Sequence, residues 1–143
     1  MTIITPTRAD VFVTEDLRPS LRFASFLLEI TETLNAIVAR SVNTQDANYT
    51  FLLTDAFTIV RKTSSTANQV YTISANVSVA FEIGHVLEVQ NDGSAAMKVA
   101  IITDTLTFEA DGTTGTRSIA AAGSGRFVKV AATSWKCRGQ QMT

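Results

Sequence analysis

The chain has one cysteine, one histidine and two prolines, and charged residues make up only 17% of its 143 positions. Each shortage excludes something. A single thiol, Cys137, cannot close an intrachain disulfide, so no disulfide framework holds the fold. One cysteine and one histidine cannot supply the four ligands of a structural zinc site. His85 has no second histidine to act with, and no motif fixes an acid beside it. It therefore reads as a strand or turn residue rather than a catalytic one. The formal net charge is −1 and the basic residues are scattered, which leaves no electrostatic footprint for nucleic acid. No apolar run approaches the roughly 20 residues that span a bilayer. The first residues lack the basic and then apolar order of a secretory signal, so none is expected. The charge content is also well below the roughly 25% of an ordinary soluble domain. Such a chain must cover its surface with Ser and Thr, or bury surface against other subunits.

Residues 1–19 read as an extended polar arm containing Pro6 and Pro19, the only prolines. Pro19 suits the first turn of a helix, where a missing N–H costs nothing. The helix itself is expected over 20–42, "SLRFASFLLEITETLNAIVARSV". Its large apolar residues Phe23, Leu27, Ile30, Leu34 and Ile37 step by four, three, four and three, which is a heptad seam. This seam can be buried against a sheet of the same subunit or against copies of itself. The register puts leucine at the a positions and isoleucine at the d positions, which favours three or four strands over two. The helix is separate in sequence from the strands, so we expect it to form an oligomer interface.

From about residue 46 to 139 the pattern is β throughout. Alternation is plain in "YTFLL", "FTIVRKT", "QVYTIS", "VLEVQ", "AMKVAIIT", "DTLTFEA" and "RFVKVAATSWKC", with shorter strands at "SVAFEI" and "TRSIAA". Turn residues punctuate them at Asn91-Asp92-Gly93, Asp111-Gly112 and Gly123-Ser124-Gly125, and Asp92-Gly93 gives the strongest hairpin signal. Eight or nine short strands at this spacing predict a mainly β domain, a small antiparallel sandwich or barrel preceded by one α-helix.

No constellation of catalytic groups emerges. Asp104, Glu109 and Asp111 lie close in sequence but lack the spacing and glycine of a calcium loop, so they read as turn and edge charges. "GTTGTR" and "GSGR" are glycine-rich, yet neither has the Gly-Lys-Ser/Thr of a phosphate loop. Trp135 and Phe127 are expected in the core. No cofactor and no metal site is expected, and the chain does not read as an enzyme.

One resemblance is carried by the strands. Thr54-Asp55-Ala56, Ile59-Val60-Arg61, Tyr71-Thr72-Ile73, Asn76, Ser78-Val79-Ala80-Phe81 and Ile83-Gly84, with the closing "FVKVAATSWKCRG", resemble a β-module of tailed-bacteriophage virion proteins. Ser74 and His85 depart from it, standing where proline and threonine are frequent. The resemblance covers residues 46–139, and the preceding "RPSLRFASFLLEITETLNAI" looks like the short helix before such modules. It implies a homotrimeric structural protein of a phage particle, made in the host cytoplasm and residing in the virion. The expected role is a tail-associated fibre or fibre-attachment protein that docks by its arm and helix and presents a β-knob. A capsid decoration protein is the alternative, and a glycan-binding or glycan-cleaving tail spike is a more distant one. The implied partners are other virion proteins, of the tail or adaptor or the major capsid protein, and a host surface receptor for a fibre. Neither nucleic acid nor membrane is among them.

Overall fold

The computed structural model describes residues 21–38 and 40–143, which belong to two compact units divided between Ala39 and Arg40. The arm predicted over 1–19 lies outside the described residues.

The first unit contains α1, Leu21–Val38. The helix is shorter than the sequence suggests, because Val42 belongs to the first strand. No acidic residue in its first turn or basic residue in its last turn opposes the helix dipole. Thr31, a poor helix former, donates its hydroxyl to the Leu27 carbonyl at 2.8 Å, a back-bond that weakens the helix slightly.

The second unit is mainly β, a curled half-barrel sheet. Its strands are β1 Val42–Thr44, β2 Tyr49–Thr50, β3 Ile59–Lys62, β4 Gln69–Ile73, β5 Val86–Asn91, β6 Met97–Ile101, β7 Thr105–Phe108, β8 Arg117–Ala131 and β9 Ser134–Met142. The order β1-β3-β5-β8-β6-β4-β2 shows that successive strands alternate between two limbs. β1, β3 and β5 stack on one limb and β2, β4 and β6 on the other, so a strand, a corner and a second strand make one bent rung. Residues 45–48, 63–68 and 92–96 are the corners of three such rungs. β8 runs back along the third rung, pairing Arg117–Val99 and Ile119–Met97 on one limb and Ser124–Gln90 and Val128–Val86 on the other. Its own corner falls at the register shift between Ile119 and Ser124, where Ala122 takes a φ of 58°. β9 follows β8 antiparallel, and β7 joins β9 in parallel.

This topology corrects four expectations. The sheet is not antiparallel: β1/β3, β2/β4, β3/β5, β4/β6 and β7/β9 are all parallel. Parallel neighbours usually need a helical crossover, but here the intervening strand on the opposite limb serves as the crossover. Asp92-Gly93 is not a hairpin, because β5 and β6 both pair with β8 and not with each other. Gly123-Ser124-Gly125 is not a turn between strands but the bend inside β8. "SVAFEI" forms turns rather than a strand, and Leu53–Phe57 is a 3-10 helix.

Inward positions follow the period of two. Tyr71 and Ile73 of β4, Leu87 and Val89 of β5, Met97 and Val99 of β6, and Phe127 of β8 meet between the limbs with Phe51, Leu106, Ile119 and Trp135. Tyr49, Phe51 and Tyr71 form edge-to-face pairs with centroids 5.9–6.1 Å apart. Such pairs add roughly 0.5–1.5 kcal/mol beyond area burial.

Candidate functional site

The polar groups that bridge strands, corners and crossings are the raw material from which a catalytic site would be built. They are committed to the frame. At the corners, one polar residue per rung ties its corner to the next. Asp46 accepts from the Thr63 and Ser64 N–H groups at 2.7 and 2.8 Å and from the Thr63 hydroxyl at 2.7 Å. These hydrogen bonds, led by the hydroxyl's, hold its carboxyl below the ordinary 3.8. Lys62 is fully buried and donates to the Ser64 and Ala95 carbonyls. Asn91, also fully buried, donates to the carbonyls of Ala95, Ile119 and Ala120 at 3.1, 3.0 and 2.9 Å. Gly93 must be glycine, since a Cβ there would lie 2.1 Å from the Ser64 carbonyl oxygen and 2.6 Å from Lys62 Nζ.

At the opposite, open end of the limbs, Asp55 accepts from Asn43 Nδ2 at 2.9 Å, Tyr49 Oη at 2.8 Å and Leu52 N–H at 2.8 Å. Lys129 pairs with Asp104 at 3.0 Å, donates to Asn76 Oδ1 at 3.1 Å and lies over the Trp135 ring, 5.1 Å from its centroid. Arg117 donates to the Gly115 carbonyl and the Thr113 hydroxyl, and stacks 5.4 Å from the centroid of Phe108.

The residues singled out from the sequence are dispersed. His85 follows Gly84, whose φ of 95° makes a turn that a side chain would strain. Its Nδ1 accepts from the Glu82 N–H at 3.2 Å, and its ring meets Phe57 and Phe81 edge-on. Of the three carboxylates considered as a cation site, Asp104 is taken by Lys129, and Asp111 closes its own turn by accepting from the Thr113 N–H and hydroxyl. Among the described residues no three His, Cys, Asp or Glu side chains gather as metal ligands, and no helix is long and apolar enough to cross a membrane. Trp135 and Phe127 lie in the core, as expected. Sequence reasoning missed Asp55, Lys62, Lys129 and Asn91, each of which the strands or crossings turn inward.

Burial leaves a pH signature. It pushes the Cys137 thiol from 9.0 to about 11. It pushes Tyr71 from 10.0 to about 12, helped by the nearby Asp46 and Tyr49, and Tyr49 to about 12, helped by its hydrogen bond to Asp55. The folded state thus holds these protons more tightly than the unfolded chain. The cysteine contribution to stability is complete below pH 9.0 and lost by about 11. The tyrosine contributions are complete below pH 10.0 and lost by about 12. Denaturation midpoints measured from pH 8 upward should therefore hold to about 9 and then fall continuously to about 12; a flat midpoint across that window would contradict these environments.

What is left outward is surface. On the outer face a shallow depression of about 630 Å³ crosses β3, β5, β8 and β9. Ile59, Glu88, Arg126 and Arg138 form one row across it. Glu88 is shared between Arg40 and Arg126, and no nucleophile stands beside a base there. In α1, Leu27 is 45% and Ile30 39% exposed, and Leu28 is exposed beside them, while Phe23 is partly buried. The side chains of Leu34 and Ile37, the rest of the predicted seam, lie outside the described residues. The crossings at the open end of the limbs also carry exposed apolar side chains. Comparison of the chain with protein-family models, with curated proteins and with solved structures finds no match.

Proposed function

We propose that this chain is a non-enzymatic structural component of a bacteriophage particle. It acts as a homotrimer, as a tail-associated fibre or fibre-attachment protein that docks by its N-terminal arm and helix and presents the β unit as a knob. The observation that carries this reading is the way the chain spends its side chains. Its buried charges brace strands, corners and crossings, while large apolar groups stay outside on both units. That distribution suits a protein completed by assembly rather than one that turns over a substrate. The phage-like strand motifs and the low charge content support the same reading.

Particles of the phage that encodes the chain provide the test. Quantitative mass spectrometry of purified virions should find it in copies that are a multiple of three, and cryo-electron microscopy should place the β unit on the tail. Density at the capsid surface would replace the fibre role with head decoration. Absence from the particle would overturn the proposal.

A further inference from the structure

Arginines that lie far apart in the sequence meet on one outer face of the β unit. Two rows of side chains cross β5, β8 and β9 there, in the depression of about 630 Å³. Glu88, Arg126 and Arg138 form the first row, and Gln90, Ser124 and Gln140 form the second. Arg126 and Arg138 are directly opposite partners on antiparallel strands. Such partners hold their Cβ atoms roughly 4.5–5.5 Å apart, and like charges placed so destabilise the sheet. Gly139, next to Arg138, permits the close approach of the strands, since a Cβ there would lie 2.0 Å from the Ser124 carbonyl oxygen.

The two cations are short of acceptors. Glu88 pairs with Arg40, and its other oxygen is 3.9 Å from Arg126 Nε, too far for a hydrogen bond. That Nε is buried and has no other acceptor among the described residues. Arg138 is exposed and has no ion pair or hydrogen bond among the described residues, Glu109 just past β7 included. Three arginines, at 40, 126 and 138, thus share one carboxylate. Arg61 on the same face is matched differently, with Asp92 at 2.6 Å.

We infer that this face binds a carboxylate-bearing oligosaccharide, a chain of uronic-acid units. Two guanidinium forks side by side match a planar carboxylate, which accepts from them in charge-assisted hydrogen bonds. The second row stands two residues further along each strand, about 7 Å away. That is the reach of one sugar ring from its carboxylate to its far hydroxyls. Gln90, Ser124 and Gln140 meet those hydroxyls with amide and hydroxyl groups that both donate and accept. A peptide carboxylate fits less well. Extended peptides add to a sheet at a free edge through main-chain hydrogen bonds, and β5, β8 and β9 are each paired on both sides. A nucleic acid needs a longer track of cations than arginines with a glutamate among them. The site belongs to the β unit alone, so it stands whichever part of a particle the chain occupies.

Isothermal titration calorimetry of the full-length chain tests it, with a galacturonic acid hexamer, a neutral galactose hexamer and a glutamate hexamer as probes. The uronate should bind at least about 10-fold more tightly than either of the others. Arg126→Gln and Arg138→Gln should each weaken uronate binding at least about 10-fold. Lys98→Gln removes an exposed cation from β6 on the other limb and should leave binding unchanged. Both arginine variants relieve the cross-strand repulsion, so their urea midpoints should hold or rise, and weaker binding then reads a lost contact rather than a lost fold. Uronate binding no tighter than that of the neutral sugar, or reduced as much by Lys98→Gln as by the arginine variants, would overturn the site. A glutamate hexamer that binds as tightly as the uronate would overturn the sugar and make the face one for acidic peptides.

Discussion

Replacing Asp104 with alanine lowers the free energy of unfolding by about 3–5 kcal/mol, read from urea denaturation. The cause is a stranded ammonium. Lys129 is 2% exposed, and its Nζ has the Asp104 carboxylate at 3.0 Å and the Asn76 carbonyl oxygen at 3.1 Å. Lys129 is almost wholly buried, so removing Asp104 leaves most of the desolvation cost of the cation uncompensated. The pair also fastens the 102–104 crossing to β8, so that crossing should loosen with it. The double variant Asp104→Leu with Lys129→Met removes both charges and should recover most of the loss, since a buried pair replaced by apolar groups of similar volume is often neutral or stabilising. A single variant as stable as the parent would show that the ammonium finds water.

In the homotrimer proposed above, Leu27→Asp together with Leu34→Asp should convert the oligomer to monomer at micromolar concentration, measured by sedimentation velocity. Burying a leucine side chain contributes about 1.5–3 kcal/mol, and a three-stranded seam contains each substituted position three times. An aspartate in the same place must also be desolvated or protonated. Leu27→Ile with Leu34→Ile keeps apolar volume in the seam and should remain associated, which separates loss of the interface from loss of any leucine. Circular dichroism on both variants checks that the β unit stays folded. An oligomer that survives the aspartates would mean that the helix does not hold the copies together.

The sequence spoke most clearly where side chains alternate. The period-two pattern located β3, β4, β5, β6 and much of β8, and Trp135 and Phe127, expected in the core, lie there. It gave no access to pairing. Parallel and antiparallel strands read alike, and a chain that alternates between limbs leaves no local trace, so the Asp92-Gly93 corner looked like a hairpin. The corner differs from a hairpin in what lies beneath it: Asn91 reaches across to β8 and Lys62 reaches up from β3. The buried Lys62 and Lys129 were visible in principle. In "FTIVRKT" Lys62 shares a face with Val60, and in "RFVKVAA" Lys129 shares one with Phe127, so strict alternation turns each inward. A lysine at an inward position requires a buried partner, and Ala95 for Lys62 and Asp104 and Asn76 for Lys129 come from segments distant in sequence. The exposed Leu52, Leu53, Phe57, Ile83 and Ile102 fall in "YTFLL", "FTIVRKT", "SVAFEI" and "AMKVAIIT", which alternation assigned to strands.

The mass of the full-length chain in solution, measured by multi-angle light scattering across a dilution series, tests the central claim most directly. The claim is that the exposed apolar surface of the helix is finished by copies of the same chain. It predicts a mass three times the 15.4 kDa of one chain, holding down to low micromolar concentration. A stable species of 15.4 kDa across the series, with no larger one, would contradict it.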